Sequence, residues 1–224
     1  MCSLVQEMKT LTNTRPDKDF VIVSFYTHGE YYEEVFNQYL FPSLKKFNLP
    51  YHIEEIESLG SYQANTGLKS LYVRKMLDVF PTVKVIWTDV DSEFKKYPIL
   101  FEKIQPEYDM AATYWDMDKW YKTDRYHGRL ELHSGTVMFR NTAATKQVVD
   151  DWRARIVVDP INTWEQRHLE VAIAKHPNIL VFKLPLEYVY VMTLPNGDKP
   201  FIKLDPVVAH YQAGRKVNRN QVKV

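Results

Sequence analysis

Two carboxylates spaced i, i+2 at the end of an apolar run are the part of this sequence best placed to do chemistry. They are Asp89 and Asp91, in the stretch VKVIWTDVDSEF at 83–94. In extended backbone such residues point the same way, roughly 6.5–7 Å apart. That spacing leaves room for one hard divalent cation bound through oxygen, and a cation held there can stabilise a diphosphate as a leaving group. Acids at a strand-to-loop junction also serve as plain turn formers. A second pair, Asp116 and Asp118, follows the less apolar run MAATYW. It lies among Lys119, Trp120, Lys122, Asp124 and Arg125, the composition of a flexible polar loop. Asp89 and Asp91 are therefore the preferred metal pair. Histidines 28, 52, 127, 168 and 176 show no ligand spacing, and His210 on a late strand would ordinarily be structural.

Composition removes much other chemistry. The 7 glycines include no two separated by one residue, so no G-x-G exists. This excludes the dinucleotide fingerprint and the kinase glycine loop, and neither a Walker A motif nor a G-x-S-x-G elbow is present. The single Cys2 excludes an intrachain disulfide, a four-cysteine zinc site and a C-x-x-C redox pair. A formal charge of +1 is far from that of a protein living on phosphate contacts. The basic residues nevertheless gather late: Lys199, Lys203, Arg215, Lys216, Arg219 and Lys223 face only Asp205 over the same stretch. No apolar run approaches the roughly 20 residues of a membrane-spanning helix. The expectation is a chain without a membrane span in a reducing cytoplasm.

The elements that must position Asp89 and Asp91 follow from periodicity. Residues 1–18 are polar and aperiodic, which predicts a flexible arm. FVIVSFY at 20–26 and VKVIWT at 83–88 read as strands buried on both faces. A helix is predicted over 30–47, broken by Pro42, and another over 68–80. Further strands are expected at 51–56, 110–115, 132–140, 179–184 and 207–211, with helices near 98–104, 143–156 and 164–174. Asn196-Gly197 predicts a hairpin between 188–193 and 200–204. Alternating strands and helices argue for one α/β domain with a mostly parallel sheet flanked by helices, carrying its ligands at the carboxyl ends of the strands.

The first strand, the helix SYQANTGLKSLYVRKMLDVFP, the WTDVD junction and the strand HSGTVMFRNT stand in an order similar to that of GT-A glycosyltransferases. WEQRHLEVAI, LPLEYVYV and AHYQAGRK continue the series. From about Val21 to Lys216 the chain resembles the nucleotide-diphospho-sugar transferases of that superfamily. The resemblance implies a single GT-A-like (Rossmann-like) domain over 19–216, followed by a basic tail at 217–224. It implies a nucleoside-diphosphate sugar, UDP-linked, as donor, and Mn²⁺ or Mg²⁺ on Asp89 and Asp91 with His210 completing the shell. Tyr26 and Thr27 would contact the nucleotide, Lys69 and Arg74 would face the donor, and Arg215 and Lys216 would reach its diphosphate. Ser134 and Gly135 would lie beside the sugar, with Glu165 and Gln166 contacting it. The implied activity is hexosyl transfer to an acceptor hydroxyl, on a glycan, a small molecule, a protein side chain or a hydroxymethylated base in phage DNA. In the last case the basic tail and the 115–129 segment would supply phosphate and base contacts. A nucleotidyltransferase and a non-catalytic nucleotide-sugar-binding module are the rival readings. The first rival normally brings a glycine-rich phosphate loop, where this chain has Phe25-Tyr26-Thr27-His28-Gly29.

Overall fold

Every residue of Phe20–Thr27 (β2) is buried, the pattern of a strand packed on both faces. The structure, a computed structural model, describes residues 8–160, 162–194 and 197–214. β2 lies between Tyr51–Ile56 (β3) and Lys84–Thr88 (β4), parallel to both. Beyond β4 come Leu130–Phe139 (β7), antiparallel to it, then Met110–Asp116 (β6) and Val181–Lys183 (β8). Thr10–Asn13 (β1) closes the other edge against β3. The order is β1-β3-β2-β4-β7-β6-β8. Five of the seven strands run one way and β1 and β7 run the other, so the mostly parallel sheet is present.

Alternation along β2 divides the core. Phe20, Ile22 and Tyr26 pack with Phe36, Leu40, Leu44 and Phe101 on one face. Val21, Val23 and Phe25 pack on the other against helices Tyr62–Val79 (α3), Ala143–Val158 (α6) and Glu165–Lys175 (α7). A second sheet is assembled from pieces far apart in sequence. Val208–His210 (β10) runs antiparallel to Ser92–Phe94 (β5) and parallel to Tyr190–Val191 (β9). Its register sets His210 opposite Ser92, one residue past Asp91.

Several local expectations are corrected. Residues 10–13 are not part of a loose arm, because the open edge of β3 supplies a hydrogen-bonding partner. The helical region after β2 divides into Glu30–Val35 (α1), a π-turn at Phe36–Leu40 and Phe41–Lys46 (α2). Pro42 has no N–H for the ladder, and the shifted π-turn precedes it. The segment after β6 is no polar loop. It forms Met117–Tyr121 (α5; α4 is the short Leu100–Lys103), anchored by buried Trp115 and Trp120 stacked 4.5 Å apart. No hairpin joins 188–193 to 200–204: residues 200–204 form no strand, and β9 pairs with β10. Val189 and Val191 are buried with Trp115 and Trp120, so core packing selects the partner. Pro195 and Asn196 lie outside the described residues. Among those described, no helix is long and apolar enough to cross a membrane.

Candidate active site

The chain leaves the buried strand β4 at Thr88 and turns at once. The Asp89 N–H donates to Gly135 O at 2.9 Å, and Asp89 O accepts from Ser92 N–H at 3.0 Å. The turn brings both carboxylates to the carboxyl end of the central strands. Asp89 Oδ1 accepts from Trp87 Nε1–H at 2.9 Å and pairs with Lys69 Nζ at 3.0 Å. Asp91 Oδ2 accepts from Ala213 N–H at 2.7 Å. One side-chain ligand atom from each of Asp89, Asp91 and His210 lies within 4.8 Å of the other two.

Two atoms of this cluster, Asp91 Oδ1 and His210 Nδ1, are buried without a hydrogen-bond partner among the described residues. Orphaned buried acceptors are costly, and those of a carboxylate most of all. Two carboxylates and a neutral imidazole suit a divalent cation such as Mn²⁺ or Mg²⁺, which would satisfy both atoms. The residues present therefore fit the metal implied by the resemblance.

Electrostatics point the same way. Burial, reinforced by the neighbouring Asp89 charge, raises Asp91 to about 7. Burial lowers His210 to about 4, so its imidazole is neutral near pH 7. Burial also opposes the charge on Lys69, but Asp89 and Glu165 outweigh it and raise the pKa of the ammonium.

These shifts make opposite contributions to the stability of metal-free protein. Asp91 has a raised pKa in the fold, so its contribution is full below the ordinary carboxylate range and is lost as pH rises through about 7. His210 has a lowered one, so its contribution is present above its ordinary value of 6.5 and is lost as pH falls through about 4. In EDTA the two offset each other across pH 4 to 6.5. Asp91→Asn should expose the histidine limb, with stability rising with pH over that window. His210→Gln should expose the carboxylate limb, with stability falling toward pH 7. Urea melts at half-unit pH steps check this; parallel profiles for the two variants would refute it.

A cavity of about 270 Å³ opens beside the cluster, lined by Tyr26, Thr27, Lys69, Asp89, Asp91 and Glu165 among others. The fold thus brings together six of the residues expected from sequence. Lys69 Nζ is buried beneath the cavity, 2.8 Å from Glu165 Oε1 and 3.4 Å from Ser134 Oγ, which itself donates to Glu165 Oε1 at 2.7 Å. Gln166 lies behind this group, accepting from Ser134 N–H and donating to Glu131. It braces β7 and is not among the lining residues. Gly135 is enclosed by histidines: a Cβ there would sit 2.7 Å from His133 Cε1 and 2.8 Å from His210 Cε1.

Arg74 is placed elsewhere. It pairs with Asp78 and Asp150 on the outer side of α3 and does not line the cavity. A helix turn at five residues carries it away from the face bearing Lys69. Asp116 and Asp118 serve the backbone, accepting from Lys119 N–H, and from Tyr126 and Gly128 N–H, respectively. Arg215 and Lys216, like the tail at 217–224, lie outside the described residues. The segment just before them is firmly placed. Tyr211 stacks on Tyr39 at 4.1 Å, Tyr31 donates to Ala213 O at 2.8 Å, and Gly214 lines the cavity against Tyr62. A Cβ at 214 would lie 2.5 Å from the Tyr62 ring.

Sequence reasoning missed Tyr32, Tyr62, Asn65 and Trp87 in the wall. Trp87 offered a signal, because its i, i+2 relation to Asp89 puts the indole N–H beside the carboxylate. Nothing in the spacing of Tyr62 set it apart from a core tyrosine.

No protein-family model matches the chain, and no curated protein matches it in sequence. Solved structures do match in shape. A glycosyltransferase involved in glycosylation of the major capsid of PBCV-1 superposes with a TM-score of 0.63 at 13% identity, over 92% of this chain and 99% of the other. Mouse xyloside xylosyltransferase 1 gives a TM-score of 0.54 at 9% identity, over 88% and 98%. The bifunctional glycosyltransferase WbbM gives 0.52 at 15% identity over 87% of this chain, which spans 45% of that protein. The fold is that of GT-A-type glycosyltransferases.

Proposed function

We propose that this chain is a metal-dependent glycosyltransferase of the hexosyl-transferring kind, taking a sugar from a nucleoside-diphosphate sugar, UDP-linked, to an acceptor hydroxyl. The observation that carries the reading is the Asp89–Asp91–His210 cluster, with two unsatisfied buried ligand atoms, at the edge of a cavity in a GT-A fold. Those three residues would hold the cation. When bound, it supplies a Lewis acid that stabilises charge on the departing diphosphate.

The chain's own residues do the rest by positioning. Lys69 fixes Asp89 and Glu165 relative to each other through two short ion pairs. Glu165 spends Oε1 on Lys69 and Ser134, and Oε2 is buried without a partner among the described residues. We assign that oxygen to a hydroxyl of the transferred sugar. Tyr26 and Thr27, at the end of β2, would contact the nucleotide. Gly214 lines the cavity, and Arg215 and Lys216, the next residues in sequence, would offset the charge of the diphosphate.

For the acceptor, a glycan is favoured over a nucleobase. Trp115 and Trp120 are buried and stacked on each other, leaving no face for a base. Trp164 is 53% exposed and packs edge-on to the cavity-lining Tyr62, giving an open aromatic face for a sugar ring.

The test is a thermal-shift panel of nucleoside diphosphates and their sugars, with Mn²⁺, Mg²⁺ or EDTA, paired with chromatography of donor products. The expected result is stabilisation only with metal, and slow release of UDP plus free sugar. Release of UMP would favour nucleotidyl transfer, binding without turnover would favour a non-catalytic module, and equal binding in EDTA would overturn the metal bridge.

A further inference from the structure

His210 is one end of a buried chain of side-chain oxygens whose other end is a backbone carbonyl. Ser92 Oγ lies 2.6 Å from Asp89 O, Thr88 Oγ1 lies 2.8 Å from Ser92 Oγ, Thr136 Oγ1 lies 3.2 Å from Thr88 Oγ1, and His210 Nε2 lies 3.0 Å from Thr136 Oγ1. Ser92, Thr88, Thr136 and His210 are all fully buried. A carbonyl oxygen only accepts, and a hydroxyl carries one proton to donate. These two facts fix the direction of every bond. Ser92 spends its proton on Asp89 O, so Thr88 must donate to Ser92. Thr136 must then donate to Thr88, which leaves Thr136 Oγ1 to accept from the imidazole.

We infer that this hydroxyl chain holds His210 in the tautomer with its proton on Nε2, and so makes Nδ1 the atom offered to the cation between Asp89 and Asp91. Nδ1 is the atom found buried without a partner among the described residues. The ring is packed against Gly135, where even one added carbon would come within 2.8 Å of His210 Cε1, so its orientation is held by contact as well as by the hydrogen bond. Thr136, Thr88 and Ser92 are thus positioning residues, acting through His210. The chain also begins at the carbonyl of Asp89, so one buried network ties two of the three proposed ligands together. The second half of the inference rests on the metal-centre reading above; the tautomer does not.

Nitrogen-15 NMR of the metal-free full-length protein reads the tautomer directly. The expected result is a His210 proton on Nε2, and a proton on Nδ1 in the wild-type protein would overturn the inference. Mn²⁺ affinity of metal-free protein, followed by electron paramagnetic resonance, tests the consequence. Thr136→Val and Thr88→Val should weaken Mn²⁺ by about 10- to 100-fold, whereas Thr136→Ser, which keeps the hydroxyl, should stay within about threefold. Thr88→Val should in addition populate the Nδ1–H form, because the Thr136 hydroxyl is then free to turn and donate to Nε2. A folded Thr136→Val protein that binds Mn²⁺ as tightly as wild type would overturn the positioning role. A wild-type protein that has the Nε2 proton but takes up no Mn²⁺ would overturn the metal centre, and with it the ligand assignment, while upholding the tautomer.

Discussion

Asp91→Asn is expected to abolish metal-dependent stabilisation by UDP and to lower donor turnover by on the order of a thousandfold or more, the scale of losing a preorganised charge-stabilising group. Asparagine keeps an oxygen for the Ala213 N–H, so the contact that seats the C-terminal segment survives. It also removes a buried carboxylate whose ionisation the fold opposes. The metal-free variant should therefore melt no lower than wild type, which separates loss of function from loss of fold. His210→Ala provides the graded comparison. It takes away one neutral ligand and should be partly rescued by excess Mn²⁺ through mass action. Calorimetry with UDP and Mn²⁺, beside a hydrolysis assay, makes both measurements. An Asp91→Asn protein that still shows the full UDP-dependent shift would place the metal elsewhere.

The second large effect is on stability. Lys69 Nζ is buried, held by Asp89 and Glu165, and sits 5.1 Å above the Trp87 ring. Lys69→Met keeps most of the side-chain volume and removes the charge, leaving the nearly buried Glu165 carboxylate without its counter-ion. Breaking a buried pair in this way costs about 3–5 kcal/mol. Adding Glu165→Gln removes the uncompensated charge, so the double variant should recover much of that loss. A double-mutant cycle by urea denaturation measures the coupling directly. A Lys69→Met loss below about 1 kcal/mol, the range of exposed pairs, would show that the pair is screened by water and does not organise the site.

Some of this was legible in the residues alone, for identifiable reasons. β2 and β4 are short, mainly apolar runs rich in β-branched and aromatic residues, the pattern of a strand buried on both faces. The position of Asp89 and Asp91 followed from where the second of those runs ends. The ordered resemblance supplied Tyr26, Thr27, Lys69 and Glu165, and all four line the cavity. Local signals failed where a distant partner decided the outcome. Thr10–Asn13 has no pattern of its own and is a strand because β3 offers an edge. The Asn196-Gly197 signal predicted a hairpin, yet the burial of Val189 and Val191 against two tryptophans sent β9 to β10.

The proposed metal centre shows the division most clearly. The carboxylate pair is local, fixed by a two-residue spacing at a strand end, and so the sequence determined it. Its third member comes from 119 positions further on, set by the register of β10 against β5. The direction of the hydroxyl chain that presents its imidazole depends on which oxygens meet in a buried space. His210 was implied by the resemblance, but Thr88, Ser92 and Thr136 are individually unremarkable in sequence, because a hydroxyl's donor or acceptor role is decided by its neighbours, and only the tertiary structure supplies them.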